Sequence, residues 1–199
     1  MCTSWHLGTG APSFRFSASR AAEQSKAGAS IKVANPKVTA LAFDASGRRL
    51  LTGAQDGLVR VWNFSSGQCL RECLPPTQRE APISADLAAD LPGEMRSSAE
   101  VQREISSVMA IQEGPVAYIA ACGWSRQVWL WSDLPADTEG RARVPCLRCF
   151  HGHEDDVLCA SFAAPNVLAT GCYDGQILVW NLDSGQRGVG RYRGDIGEI

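Results

Sequence analysis

Apolar and polar residues alternate in short runs that recur three times along the chain, and each recurrence ends in a tryptophan. Counting back from Trp62, Trp131 and Trp180, the third and first preceding residues are apolar in every case. A period of two is typical of a half-buried β-strand. Two further short strands are predicted before each tryptophan strand, at residues 38–43 and 48–54, 105–111 and 116–122, and 157–162 and 166–172. With a fourth strand expected after each tryptophan, every recurrence is predicted to be a four-stranded antiparallel meander.

Turn signals separate these strands at matching places. Asp56-Gly57 and Asp174-Gly175 each begin six residues before a tryptophan, and Ser125 occupies the same place in the second recurrence. Asp-Gly between apolar strands favours a hairpin turn, in which glycine accepts a positive φ angle. The repeats show no helical periodicity, so the predicted fold class is all-β.

The spacing of four features makes the third repeat the most specific. Gly152-His153 is followed by Thr170, by Asp174 in the turn and by Trp180-Asn181 at the end. In this the chain resembles the WD40-repeat family, whose repeats form the blades of a β-propeller. The resemblance covers residues 36–73, 104–133 and 150–186, although the usual terminal Trp-Asp is here Trp-Asn or Trp-Ser.

The resemblance implies a structural tetrad in the third repeat, formed by His153, Thr170, Asp174 and Trp180. The indole N–H only donates, the hydroxyl donates and accepts, and the carboxylate only accepts, so the four groups can satisfy one another. The first repeat implies a partial tetrad. Its members are Thr52, Asp56 and Trp62, with Ala34 at the histidine position.

The second repeat lacks the polar groups of the tetrad. Ala121 and Ser125 stand where the hydroxyl and the carboxylate should be. Its order is therefore expected to come from packing of Val128, Leu130 and Trp131 alone, and it is predicted to be the loosest repeat.

The predicted organisation is an N-terminal arm of low structure (1–34), a propeller fragment (35–186) and a poorly ordered tail (187–199). Within the fragment the expected parts are blade 1 (35–76), an acidic insertion (77–104), blade 2 (105–149) and blade 3 (150–186). Ser97 and Glu100 resemble a helix-capping box, which predicts a short helix at 98–104.

Three blades are too few to close a ring, because closed propellers have about four to eight. The first blade would expose the face that a preceding blade should cover, and the third the face meant for a following one. We therefore expect an open, partial propeller that self-associates or needs further blades, and a chain that is a piece of a longer protein.

Composition narrows the classes of partner. The chain of 199 residues is 45% hydrophobic and 20% charged, with a net charge of −2. Such a balance provides no global field for nucleic acid or a membrane, and neither is expected as a partner. RNA binding through the basic segment 1–37, which has five Lys/Arg against one Glu, stays open as an alternative. The start of the chain has no secretory signal pattern, which predicts a cytoplasmic location.

Two alternative chemistries involve the region around the third repeat. Cys146, Cys149 and His151 are soft and borderline ligands that suggest zinc, but their spacing is too short for a chain to wrap the ion. His153 and Asp174 suggest a hydrolase. We expect the eight cysteines to be reduced thiols and assign no catalytic, cofactor or metal residue. The predicted function is a non-catalytic scaffold that binds other proteins.

Three longer phrases resemble a particular group of large WD-repeat proteins, some with EF-hands, that is associated with cilia and sperm. They are ANPKVTALAFDASGRRLLTGAQDG (34–57), ACGWSRQVWLW (121–131) and HEDDVLCASFAAPNVLATGCYDGQILVWN (153–181). Membership would imply a scaffolding role in the axoneme of a cilium or flagellum. The chain itself has no EF-hand loop pattern.

Overall fold

All elements that the structure describes are β-strands. The structure is a computed structural model, and it describes residues 2–5, 8, 12–16, 36–76, 103–134, 142–185 and 187–193. No helix occurs among these residues, and accordingly none there has the length and hydropathy needed to cross a membrane. The all-β prediction is confirmed for the described part of the chain.

The strands form one hairpin and three larger sheets, which we call blades 1, 2 and 3. The hairpin pairs β1 (Cys2–Trp5) with β2 (Pro12–Phe16). Blade 1 contains β3 (Val38–Phe43), β4 (Arg49–Ala54), β5 (Val59–Asn63) and β6 (Cys69–Cys73). Blade 2 contains β7 (Ile105–Glu113), β8 (Val116–Gly123) and β9 (Gln127–Ser132). The two-residue β10 (Arg143–Val144) joins blade 1, and β11 (Arg148–His151) completes blade 2. Blade 3 contains β12 (Val157–Ala163), β13 (Val167–Cys172), β14 (Gln176–Asn181) and β15 (Arg187–Arg193).

Each blade has two chemically different faces, because side chains alternate along a strand. We call the face that carries Trp62, Trp131 or Trp180 the tryptophan face of its blade. The opposite face is the back face, and it carries the residues one and three positions before each tryptophan. The back face of blade 1 packs on the tryptophan face of blade 2 in one apolar core, and blade 2 packs on blade 3 in the same way in a second core. The inner strands β3, β7 and β12 bring the blades together.

The structure corrects three of the expected boundaries. Residues 187–193, assigned to a poorly ordered tail, form β15, whose backbone pairs with β14 as the fourth strand of blade 3. The arm 1–34, expected to have low structure, contains the β1–β2 hairpin. Blade 2 extends to His151, beyond the predicted limit of 149, because β11 pairs with β9 over four residues.

Blades 1 and 2 are linked by a strand that crosses from one to the other. The strand patterns in the sequence do not reveal this crossover. β10 lies in the segment predicted for blade 2, yet it pairs in parallel with β6 of blade 1. Glu72 N–H donates to Ala142 O, and Leu74 N–H donates to Val144 O, both over 2.8 Å. Blade 1 is therefore a five-stranded sheet and not the four-stranded one expected. The predicted helix at 98–104 falls mainly on residues outside the described part of the chain.

Candidate functional site

Three members of the predicted tetrad of blade 3 are joined by hydrogen bonds. Trp180 Nε1 donates to Thr170 Oγ1 over 2.8 Å, and a 2.6 Å bond joins Thr170 Oγ1 to His153 Nε2. All three side chains are buried between blades 2 and 3. The fourth member, Asp174, lies in the β13–β14 turn, where its Oδ1 accepts the backbone N–H of Gln176 over 3.0 Å. The Nδ1 atom of His153 is buried and has no hydrogen-bond partner among the described residues.

The electrostatic setting keeps His153 neutral. Burial lowers the pKa of His153 below its usual 6.5, and the nearby Asp174 carboxylate offsets only part of this shift. An uncharged imidazole that is hydrogen-bonded to a buried hydroxyl suits a packing role. The competing hydrolase hypothesis needs the hydroxyl of Thr170 as a nucleophile, but Thr170 is only 1% exposed, so a substrate has no access to that oxygen.

Removal of the imidazole should destabilise the protein. We expect His153→Ala to lower the free energy of unfolding by about 1–3 kcal/mol, because it leaves buried polar atoms and space without a partner. Gln55→Ala, in the corresponding turn of blade 1, should change it by less than about 0.5 kcal/mol. Urea denaturation of both variants measures the difference, and equal effects would remove the tetrad from this account.

The lowered pKa of His153 makes stability depend on pH. The unfolded chain binds a proton at His153 more readily than the folded one, so this contribution is complete above about pH 6.5 and is lost as the pH falls below it. Urea midpoints measured between about pH 7.5 and 5.5 should fall more steeply in the wild type than in His153→Gln. Parallel curves would contradict the prediction.

In blade 1 an arginine binds the aspartate of the partial tetrad. Trp62 Nε1 donates to Thr52 Oγ1 over 2.9 Å, as the partial tetrad requires. The carboxylate of Asp56, however, accepts from the Arg60 guanidinium over 2.8 Å, and Arg60 also donates to Glu72 over 3.1 Å. Burial, the largest single cause, acts to lower the pKa of Arg60, but the hydrogen bonds and negative charges of Asp56 and Glu72 together outweigh it and raise the pKa. Sequence reasoning missed Arg60. The signal available in the sequence was the position of this arginine, between Val59 and Val61 in an otherwise apolar strand.

Blade 2 is held by more than packing, contrary to expectation. The indole of Trp131 has no hydroxyl partner at Ala121, so its N–H donates over 2.7 Å to the carbonyl oxygen of Leu74 in the preceding blade. Trp129 lies edge-on to Trp131, with ring centroids 6.2 Å apart, and donates to Gln127 Oε1 over 2.9 Å. The blade predicted to be loosest thus shares a partly buried hydrogen bond with blade 1.

An ion-pair cluster also fastens blade 1 to blade 2. Asp133, which directly follows β9, accepts two bonds from Arg49, at 2.9 and 2.7 Å, and one from Arg71, at 2.9 Å. The Asp133 side chain is only 3% exposed. The hydrogen bond to Asp133 is the main reason that the pKa of Arg49 is raised. On blade 2 the residue that corresponds to Arg71 is Arg148, which donates to the carbonyl oxygens of Leu182 and Asp183 in blade 3. An arginine on the fourth strand therefore connects each of these blades to the next.

A second contact between blades recurs at the start of the inner strands. Thr39 Oγ1 donates over 2.6 Å to the carbonyl oxygen of Ile105, the first residue of β7. Ser106, in the corresponding position of blade 2, donates to the carbonyl oxygen of Val157, the first residue of β12. The residue in this position of blade 3 is Leu158, which has no hydroxyl.

The proposed zinc ligands point to other partners. Cys146 Sγ donates to the carbonyl oxygen of Arg148 over 3.1 Å, and Cys149 Sγ donates to Gln127 Oε1 over 3.2 Å. His151 ends β11 and is exposed. Burial raises the pKa of Cys149 to about 12, which disfavours the thiolate that binds zinc. No group of three or more potential ligands is close enough to hold a metal ion within the described ranges.

Aromatic side chains project at one edge of the blades. Trp124 and Tyr173 both stand seven residues before the tryptophan of their blade, in the turn between the second and third strands. Trp124 is 36% exposed and Tyr173 is 74% exposed. Their backbone N–H groups are held by the loops that enter the blades, through Glu104 O at 3.0 Å and Asp156 O at 2.8 Å. Two large aromatic groups are therefore presented from anchored turns.

Sequence comparison relates the chain to WD-repeat proteins. The family described as "WD domain, G-beta repeat" (WD40) matches residues 29–63 and 144–181, which include the two repeats that keep the threonine, aspartate and tryptophan. A "WD repeat-containing protein on Y chromosome" from Drosophila mojavensis is 28% identical over 150 residues, or 75% of this chain. Proteins of the same name from Drosophila virilis and Anopheles gambiae are 28% and 27% identical, each over 75% of this chain. These matches support the WD40 repeat family.

The matched relatives are much longer than this chain. The aligned region makes up 10% of the Drosophila mojavensis and Drosophila virilis proteins and 11% of the Anopheles gambiae protein. The chain thus spans about a tenth of the length of the curated relatives it matches.

Proposed function

We propose that this WD40-type chain is a non-catalytic scaffold that binds other proteins, as part of a longer WD-repeat protein. WD40 domains generally bind other proteins, and the family is generally non-catalytic. The observation that carries the proposal is the pair of exposed aromatic residues, Trp124 and Tyr173, held on anchored turns of adjacent blades. Tryptophan and tyrosine are the residues most enriched among the energetic hot spots of protein interfaces. Turns on a rigid sheet scaffold place such residues with little loss of entropy on binding.

The proposal includes a location. We place the protein in the cytoplasm, with the axoneme of a cilium or flagellum as its site of assembly, on the strength of the resemblance to large axonemal WD-repeat proteins. A tagged protein expressed in ciliated cells should then be enriched along the axoneme. Exclusion from the axoneme would contradict the location and leave the binding function standing.

Affinity capture tests the binding function. The double variant Trp124→Ala/Tyr173→Ala should lose proteins that the wild type retains from an extract of ciliated cells, since it removes both aromatic contacts. Leu147→Ala is the matched control, because Leu147 is also largely exposed but lies in the loop before β11. Quantitative mass spectrometry compares the three captures. Identical protein sets for all three would overturn the proposal, and so would stoichiometric zinc in the purified protein, which would favour the alternative built on Cys146, Cys149 and His151.

A further inference from the structure

The exposed aromatic residues Trp124 and Tyr173 lie at one edge of blades 2 and 3, which we call the entry edge because the inner strands β7 and β12 begin there. The second strand of each blade runs antiparallel to the inner strand, so the turn that follows the second strand returns to this edge. A hydrogen bond from Ser106 to the carbonyl oxygen of Val157 joins the starts of β7 and β12. The entry edge is therefore continuous from blade 2 to blade 3.

An acidic loop, residues 153–156, lies next to both aromatic turns. The carbonyl oxygen of Asp156 accepts the backbone N–H of Tyr173 over 2.8 Å. Burial and the neighbouring Asp155 raise the pKa of Asp156, and the guanidinium of Arg126, in the aromatic turn of blade 2, acts in the opposite direction. The carboxylate of Asp156 is thus close to Arg126 on one side, and its backbone is bonded to Tyr173 on the other. The acidic loop therefore connects the two aromatic turns.

Negative charge at the entry edge is concentrated on blade 3. The acidic loop and the turn 173–175 contain four acidic residues and no lysine or arginine. These residues are Glu154, Asp155, Asp156 and Asp174. The corresponding segments in the described part of blade 2 contain two arginines and one glutamate, and in blade 1 the carboxylate of Asp56 is paired with Arg60 over 2.8 Å. Tyr173, which is 74% exposed, therefore projects from the acidic part of the edge.

The charge of the acidic loop does not serve the stability of the fold. The raised pKa of Asp156 means that folding disfavours its charged form. Asp155 Oδ1 accepts the backbone N–H of Asp156 over 2.8 Å, and the neutral oxygen of an asparagine could accept the same bond. Two carboxylates at this place therefore favour a role toward a ligand.

We propose that the entry edge of blades 2 and 3 binds a basic segment of another protein, with an arginine or lysine held against the ring of Tyr173 and beside the acidic loop. The face of an aromatic ring attracts a cation, and nearby carboxylates add electrostatic attraction. The same charges repel acidic partners, nucleic acid included. Because it uses the same aromatic pair, the proposal rests on the proposed function, and it adds the chemistry of the partner.

Peptides of defined charge test the proposal. The probes are fluorescein-labelled peptides of equal length that share one Gly/Ser/Leu background and differ only in having arginine, glutamine or glutamate at the same positions. Fluorescence anisotropy should show that the wild-type protein binds the arginine peptide severalfold more tightly than the other two. Raising the salt from about 0.1 M to about 1 M shortens the Debye length from about 10 Å to about 3 Å and should weaken this binding severalfold. Equal affinity for all three peptides, or no binding of the arginine peptide, would overturn the proposal.

Charge removal locates the binding site. Asp155→Asn/Asp156→Asn keeps the shape of the acidic loop and removes two charges, so the affinity for the arginine peptide should fall severalfold. Glu113→Gln/Asp183→Asn is the matched control, because it removes the same charge from turns at the opposite edge of blades 2 and 3. This control should bind as the wild type does. Equal losses in the two double variants would show an effect of net charge alone and would overturn the site.

Arg126→Gln tests the same arrangement through a gain in affinity. Arg126 is exposed and is the cation nearest to Asp156 that influences its carboxylate. Removing this like charge should raise the affinity for the arginine peptide about twofold or more, whereas damage to the fold would lower it. An unchanged or lower affinity would contradict the placement of the basic segment beside the acidic loop.

Affinity capture with the same variants separates failure of this proposal from failure of the proposed function. If Trp124→Ala/Tyr173→Ala retains every protein that the wild type captures, the binding function itself is wrong. If the aromatic variant loses proteins that Asp155→Asn/Asp156→Asn still captures in full, the partner binds without the acidic pair. The second outcome would overturn the basic partner and leave the binding function standing.

Discussion

Replacing Trp131 by alanine is expected to lower the free energy of unfolding by about 3–5 kcal/mol, the range typical of a buried aromatic residue. Trp131 is fully buried in the core between blades 1 and 2 and lies edge-on to Trp129. Its N–H is the donor to the Leu74 carbonyl oxygen of blade 1, so the substitution also leaves that acceptor without its indole donor. The cavity and the lost hydrogen bond both lower the free energy of unfolding, and both weaken the contact between blades 1 and 2.

Trp124→Ala is the matched control for this prediction. The same side chain is removed, but Trp124 is 36% exposed in a turn, so its loss should cost about 1 kcal/mol or less. Urea denaturation followed by circular dichroism gives both values. Similar losses in the two variants would mean that Trp131 does not sit in a shared core.

Asp133→Ala is expected to cost about 2–3 kcal/mol. Removing one partner of a fully buried ion pair typically costs about 3–5 kcal/mol, because the other charge is left buried. Here the effect is smaller, since the side chains of Arg49 and Arg71 are 26% and 22% exposed and keep part of their hydration. The loss should appear as weaker association of blade 1 with blade 2, because Asp133 is the group that both arginines bind.

Replacing Arg49, Arg71 and Asp133 together by apolar residues shows whether the ion pairs themselves stabilise the protein or whether Asp133→Ala is costly because it leaves charges unpaired. The triple variant Arg49→Met/Arg71→Met/Asp133→Leu removes all three charges. Asp44, which also pairs with Arg49 over 3.0 Å, keeps its hydrogen bonds from Ser46 Oγ and the Arg49 backbone N–H, so much of the stability should return. Urea midpoints of the single and triple variants provide the comparison. A triple variant less stable than Asp133→Ala would show that the cluster contributes through its ion pairs and not through avoidance of an unpaired charge.

The strands that carry the tryptophans were predictable because their signal is local. A period of two around Trp62 and Trp180, together with Asp-Gly turns, depends only on neighbouring residues. The hydroxyl partners of these tryptophans followed from the WD40 resemblance, since spacing within one repeat fixes their position. These features account for the strand order inside each blade.

Two of the features that sequence reasoning missed, β10 and the Asp133 cluster, depend on contacts between distant residues. β10 pairs with β6 across a large separation in the chain, and a two-residue strand has no periodicity to detect. Asp133 and Arg49 are 84 residues apart, so nothing local identifies them as partners. β15 was assigned to a tail because its glycine- and arginine-rich sequence is a poor strand former, yet the free edge of β14 provides a ladder that overrides propensity.

The indole protons of the tryptophans provide the most direct test of the central claim, that the chain folds into stacked WD40-type blades with the tryptophan of each blade hydrogen-bonded on a buried face. Hydrogen exchange followed in the indole region of ¹⁵N–¹H NMR spectra measures each proton, with assignments from single tryptophan variants. We predict slow exchange for Trp62, Trp131 and Trp180, whose N–H groups donate to Thr52, Leu74 and Thr170, and fast exchange for the exposed Trp124. Exchange of all these protons at the rate of a free indole would contradict the account.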